Sequence, residues 1–262
     1  MGKVIAISNL KGGVGKTTTC HNLGWGLATE YDKRVCLIDL NPQADLTKIL
    51  GYNPADLDVT VEHALRGIFE NNLAPIEDYL IHACEMDILP ADGCLAPFGD
   101  ELSSGRYWMV ESVLQRLIEK LNDHYDYILI DCVNYFGKLL HIALCAADEV
   151  LLVAQPNYFG VDAIAEMLNI VEIVQQRLNQ SLSINGILLT QANMRTLHAR
   201  EAVTRLRSDL DGRVYHSIIP YSVQVSVYQE MHLPIFTLKN NPVAKAYHSF
   251  LEEFMEREDQ KI

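Results

Sequence analysis

The 262-residue chain is short of positive charge, and its cysteines form no recognisable pattern. Against 34 Asp and Glu it has 21 Lys and Arg, a formal net charge of −13. Tight, sequence-independent binding to nucleic acid depends on neutralising phosphates, so this balance works against it, although a local basic patch is still open. The six cysteines (Cys20, Cys36, Cys84, Cys94, Cys132, Cys145) include no C-x-x-C pair. That excludes a zinc or disulfide framework and points to reduced thiols of a cytosolic protein. No apolar run reaches the ~18 residues a membrane span needs, and no leader segment is recognisable. The stretch from Leu251 to Ile262 is acidic, the opposite of a membrane-surface helix. A cytoplasmic protein with no membrane partner is expected. Internal repeats and low-complexity segments are absent, and the nine histidines lack metal-ligand spacing.

What the chain does have is apolar content, 49% of residues, enough for one large core and a single domain over residues 1–262. Short β-branched runs alternate with helical stretches. The strand candidates are Lys3–Ser8, Arg34–Leu40, Met86–Pro90, Tyr127–Asp131, Glu149–Ala154, Ser183–Thr190 and Val214–Ile219. Helices are expected over Thr17–Glu30, Tyr107–Asp123, Lys138–Ala146, Val161–Leu178, Ala199–Asp211 and Val243–Glu256, with another near Thr60–Asn71. Asp92–Arg106 looks like a long loop or a short helix. This alternation predicts an α/β fold, a mostly parallel twisted sheet of about seven strands with helices on both faces. In such folds ligands gather at the carboxyl ends of the strands.

The first such end carries the strongest signal. Residues 11–18 read Lys-Gly-Gly-Val-Gly-Lys-Thr-Thr, between an apolar strand and a helix. Gly12, Gly13 and Gly15 let the backbone curl so that its N–H groups, with those of Val14 and Thr18, point at phosphate oxygens. The following helix N-terminus adds donors and partial positive charge. Lys16 is placed for the β- and γ-phosphates and the Thr17 hydroxyl for Mg²⁺. The loop needs only one lysine for its own phosphates. Lys11 is a second, and it points to a nucleotide held by a partner subunit. Two further strand ends carry carboxylates. Asp131 is the better placed to act on Mg²⁺ and its waters, and Asp39 is second.

The octet, the stretch Val35-Cys36-Leu37-Ile38-Asp39-Leu40-Asn41-Pro42-Gln43 and Tyr125-Asp126-Tyr127-Ile128-Leu129-Ile130-Asp131-Cys132 together resemble the ParA/Soj partition ATPases, of the deviant-Walker group that includes MinD. Gln155-Pro156-Asn157-Tyr158-Phe159 is similar to the family's Gln-Pro-Glu-Tyr-Phe segment. Ile219-Pro220 is similar to its late Ile-Pro near the base pocket, and Leu233-Pro234-Ile235 to its Lys-Pro-Ile. The resemblance implies a P-loop fold, ATP and Mg²⁺ as ligands, and an ATP-dependent sandwich homodimer in which Lys11 reaches the other subunit's phosphates. It also implies a base site that includes Asn193 and Pro220, non-specific DNA binding with nucleoid association, and an activating adaptor of the ParB type. Tyr158-Phe159 is expected to pack beneath the base site.

Three departures qualify that picture. The family's Asp-x-Asp-Pro-Gln has Asn41 at its second acid. An amide can hold a water but cannot take its proton, so slow or absent hydrolysis with binding intact is expected. Asp45, four residues on, is the alternative carboxylate. The family's Asp-Cys-Pro-Pro is Asp-Cys-Val-Asn here, which removes two φ-fixing prolines and leaves either a mobile loop or a polar contact by Asn134. Arg195 matches one DNA-contacting position, but Tyr221-Ser222-Val223-Gln224 replaces a pair of arginines, leaving Arg200, Arg205, Arg207 and Arg213 to complete any patch. Two readings therefore compete: a partition ATPase, and a hydrolysis-poor nucleotide switch that regulates a protein partner. An iron–sulfur protein using Cys94 and Cys132 is a remote third.

Overall fold

The computed structural model describes residues 2–121, 124–210 and 212–261. In chain order the elements are β1 (Lys3–Ser8), α1 (Lys16–Glu30), β2 (Val35–Leu40), α2 (Asp45–Ile49), α3 (Val61–Glu70), β3 (Ile81–Ala83), β4 (Met86–Leu89), α4 (Leu95–Ser103) and α5 (Val113–Leu121). They continue with β5 (Tyr127–Cys132), α6 (Lys138–Ala146), β6 (Glu149–Ala154), α7 (Tyr158–Arg177), β7 (Ser183–Ala192), α8 (Leu197–Asp209), β8 (Val214–Pro220), α9 (Gln224–Glu230) and α10 (Pro242–Asp259). All eight strands form one sheet in the order β3-β4-β2-β5-β1-β6-β7-β8. Every pairing is parallel except β3 with β4.

The strands β2, β5 and β6 are buried at every position, as strands covered on both faces must be. One apolar layer joins the sheet to α3 through α8, and the other joins it to α1 and α10. Chain order reverses around β1, which lies between β5 and β6. This is the topological switch point where α/β sheets bind ligands, and the glycine-rich loop leaves from here.

The eighth strand was not expected. Ala83 pairs with Met86 across Cys84 and Glu85, both at positive φ (50° and 65°). A two-residue hairpin of this kind usually signals itself with Asn-Gly or Asp-Gly, and Cys-Glu gives no such cue. The helix expected from Tyr107 begins at Val113, after a 3₁₀ turn at Val110–Ser112. The delay arises because Tyr107 is stacked on Phe69 at 4.2 Å and hydrogen-bonded to Arg66, while Met109 sits at φ 55°. The expected ends of this helix at Asp123 and of α8 at Asp211 lie outside the described residues. Thr60 and Asn71 flank α3 as its two caps, and Asp92–Arg106 contains α4. The short helices α2 and α9 carried no sequence signal. No described helix is long and apolar enough to cross a membrane.

Candidate nucleotide site

The loop after β1 is held from outside by β7. The Thr190 hydroxyl donates to the carbonyl of Val14 at 2.5 Å, and Gln191 Nε2 donates to that of Gly13 at 2.6 Å. With those carbonyls turned toward β7, the loop's N–H groups are left to face the cleft. Gly13 and Gly15 sit at φ 69° and 93°, a region that side chains with a Cβ rarely adopt. Asn9 completes the frame, donating to the Val153 carbonyl and accepting the Lys11 N–H. The open cleft beside the loop measures about 650 Å³ and is bordered by Gly12 to Thr18, Asn41, Asp45, Asn134, Pro220 and Gln229, among others.

Lys16 is 7% exposed and its Nζ donates to the Lys11 carbonyl at 3.2 Å. Burial lowers its pKa, and the Asp131 carboxylate works the other way. Such an ammonium gains strongly from an anion in the cleft. Thr17 donates its hydroxyl to Asp131 Oδ2 at 2.6 Å, while Asp131 Oδ1 is buried without a protein partner. Burial, then the neighbouring Asp39 charge, pushes the Asp131 carboxyl up to about 8.

Asp39 is the register partner of Asp131 across β2 and β5, but its environment differs. Oδ2 accepts the Thr47 N–H at 2.9 Å and the Thr47 hydroxyl at 2.8 Å, and Oδ1 accepts the Asn41 N–H at 3.2 Å. Burial still lifts it to about 6. Both oxygens of Asp39 hold the β2–α2 loop, whereas Asp131 keeps one free. An orphaned carboxylate oxygen beside a threonine hydroxyl and a phosphate loop is a donor set that fits Mg²⁺. Asp131 and Thr17 are the residues that would hold it.

An AAA-domain family model matches residues 2–184. The sporulation initiation inhibitor protein Soj of Bacillus subtilis (strain 168) is 38% identical over 227 residues, 86% of this chain and 87% of that protein. The chromosome partitioning protein ParA of Myxococcus xanthus is 32% identical over 268 residues, 100% of this chain and 90% of that one. The chain belongs to the ParA/Soj family of partition ATPases. Among solved structures, cobyrinic acid a,c-diamide synthase from Mycobacterium smegmatis with bound ADP and magnesium superposes with a TM-score of 0.85 at 30% identity, covering 100% of this chain and 97% of that one.

Within the ParA/Soj frame, the residues expected from sequence fall into three groups. Gly12 to Thr18, Asn41 and Pro220 border the cleft together. The second group lies outside it. Lys11 does not line the cleft, and its ammonium stands 5.6 Å from the centre of the Phe159 ring. Asn193 also stands in this second group. It is exposed, its carboxamide oxygen accepts the Arg195 N–H at 3.3 Å, and its carbonyl accepts from Thr196 in the turn that starts α8. Bound into that turn, it does not border the cleft. Tyr158 and Phe159 likewise do not line the cleft and are 75% and 70% exposed in an edge-to-face pair.

The third group is the candidate DNA surface. Arg195 is exposed. Arg205 pairs with Asp209 at 3.3 Å, and Arg207 donates to the His216 carbonyl at 2.9 Å, which leaves the patch thinner than its arginine count suggests. Cys132 is buried, with its thiol pushed up by burial and then by Asp131, and Cys94 is exposed. No cluster of metal-binding side chains exists among the described residues.

Sequence reasoning missed Thr190, Gln191 and Gln229. Gln229 Nε2 donates to Thr18 Oγ1 at 2.9 Å, bringing α9 over the first turn of α1. These residues lie far along the chain from the octet, and only the closing of the sheet brings them to it.

Proposed function

We propose that this chain is an ATP-binding partition ATPase that forms an ATP-dependent sandwich homodimer and acts as a slow switch in positioning DNA or another large cargo. The observation that carries this is the division of labour between the two lysines. Lys16 is buried at the cleft, and the half-buried Lys11, which is not among the cleft-lining residues, holds its ammonium 5.6 Å from the centre of the Phe159 ring. One ammonium suffices for a triphosphate bound in cis, and the other is available to a triphosphate held by a second copy. Thr17 and Asp131 would hold Mg²⁺, which would supply charge neutralisation on the phosphates.

Asn41 sets the rate. Hydrolysis requires a water to attack the γ-phosphorus and lose a proton as the bond to ADP breaks. Asn41 is positioned at the cleft, its carboxamide oxygen accepting the Gln43 N–H at 3.2 Å, but an amide takes up no proton. Asp45 is directed to Lys48 at 3.5 Å. Steady-state phosphate release with Mg-ATP, with and without DNA, tests this for the native chain and for Asn41→Asp. The Asp variant should turn over at least tenfold faster, in line with the ~10²–10⁴-fold range of general base catalysis. Equal rates would remove the role given to Asn41.

A second reading, a nucleotide switch that regulates a protein partner without binding DNA, is favoured by the pairing of Arg205 and Arg207 and by the net charge of −13. Titration of a labelled duplex at two salt concentrations separates the two. DNA binding by the ATP state with a steep salt slope supports partitioning on nucleic acid.

A further inference from the structure

The loop after β5 brings a second amide to the phosphate cleft. Asn134 borders the cleft together with Asn41 and the loop glycines. Its Nδ2 lies 2.7 Å from where a Cβ on Gly12 would stand, so the carboxamide rests directly against the glycine backbone. Any side chain at position 12 would have to displace it. Asn134 is half-buried, and its carboxamide makes no hydrogen bond to protein among the described residues. A half-buried amide donor that faces a phosphate loop and has no protein partner is poised for an acceptor supplied by a ligand.

From this geometry we infer that Asn134 is a binding residue for the terminal phosphate, so that the chain distinguishes nucleoside triphosphate from diphosphate through a side-chain donor on the β5–α6 loop. The inference rests on the nucleotide reading above. Asn134 and Asn41 approach from the loops after β5 and β2, strands that are neighbours in the sheet. Each carboxamide has an N–H₂ donor and an oxygen acceptor. One donor on a phosphate oxygen, and one amide on the water beside it, would hold a triphosphate without supplying a base. The site would then grip the triphosphate and release it slowly.

The contact also has a route outward. Tyr135 and Phe136, the next two residues, are 45% and 67% exposed, and α6 begins at Lys138, whose ammonium pairs with Glu111 at 3.1 Å. A terminal phosphate that holds Asn134 therefore also holds the start of an exposed aromatic pair.

The test is equilibrium binding of a non-hydrolysable ATP analogue and of ADP, each with Mg²⁺, to the full chain, to Asn134→Ala and to Asn134→Asp. A hydrogen bond to a charged phosphate predicts a loss of roughly tenfold to a hundredfold for the triphosphate analogue in Asn134→Ala. ADP affinity should change by less than about twofold, because the loop and Lys16 are untouched. Asn134→Asp, which replaces the amide donor with a carboxylate, should show at least the same selective loss. Equal losses for both nucleotides, or no loss for the analogue, would overturn the role of Asn134 while leaving the nucleotide site in place. Failure of the unmodified chain to bind either nucleotide would instead refute the underlying nucleotide reading.

Discussion

The Lys11 ammonium and the Phe159 ring face each other at 5.6 Å, on the surface outside the phosphate cleft. Phe159 lies in the first turn of α7, which is capped by Asn157 accepting the Gly160 N–H at 2.9 Å. Asn157 donates to Gln155, Gln155 donates to Gln191, and Gln191 donates to the Gly13 carbonyl. The ring that meets Lys11 is thus tied through three amides to the loop from which Lys11 departs. A cation–π contact at an exposed site is worth only about 0.5–1 kcal/mol, and a phosphate would easily replace it.

Lys11→Ala should separate the two lysines. Nucleotide binding is expected to remain within about threefold of the native chain, while the ATP-dependent dimer is lost. Light scattering with and without Mg-ATP reads the second effect, and fluorescence titration reads the first. A Lys11→Ala protein that still dimerises on ATP would exclude a role for this lysine across the interface.

Asp131 makes stability depend on pH. Its carboxyl is raised to about 8 in the folded chain, against ~3.9 when unfolded. Between those values the folded state holds a proton that the unfolded state has lost, so stability falls as pH rises through this window and levels off above it. Asp39, raised to about 6, adds the same sign at lower pH. Without nucleotide the chain should therefore melt higher at pH 6 than at pH 8.5, and Asp131→Asn should flatten that slope. Mg-ATP needs the carboxylate, so its stabilising shift should grow over the same interval. A nucleotide-free melting temperature that rises from pH 6 to 8.5 would contradict the assignment.

At the opposite end of the sheet, buried charge ties the last helix down. Glu149 pairs with Lys3 at 2.9 Å and with Lys261 at 2.6 Å, and Asn185 donates to both Glu149 and Glu258. Burial opposes ionisation of Glu149, but hydrogen bonds from Lys261, Asn185 and Lys3 overcome it and leave its pKa lowered. This contribution is present above the unfolded carboxyl pKa and is lost as pH falls through the folded one. The fully buried Tyr215 hydroxyl donates to Asn185 Oδ1. Tyr215→Phe leaves that acceptor unpaired and should cost roughly 1–3 kcal/mol, read as a lower denaturant midpoint with an unchanged slope. A shift near zero would mean that water replaces the hydroxyl.

Much of this was legible in the chain because local patterns carry it. The octet, the apolar strands and the alternation with helices follow from residue types at short spacing, and so did the parallel sheet. The chain was less legible where residue type gives no cue or the deciding partner is remote. Cys84-Glu85 makes a hairpin without the usual turn residues, Tyr107 is held on the distant Phe69 rather than starting a helix, and Asn193 is bound into a local turn with Arg195 and Thr196.

By itself the sequence settles that a phosphate loop with two lysines is present, that an amide stands at position 41, and that acidic charge dominates. Those are properties of composition and near-neighbour spacing. Only the tertiary structure decides that Lys16 is buried in the cleft and Lys11 outside it, that Asp131 keeps a free oxygen while Asp39 does not, and that Asn134 lies against Gly12. The Lys11–Phe159, Thr17–Asp131 and Gly12–Asn134 approaches each join segments more than a hundred residues apart, whereas Asp39 is held by Thr47 and Asn41 close by in the chain. The free energy of a buried charge or an unpaired amide is set by what the fold places beside it.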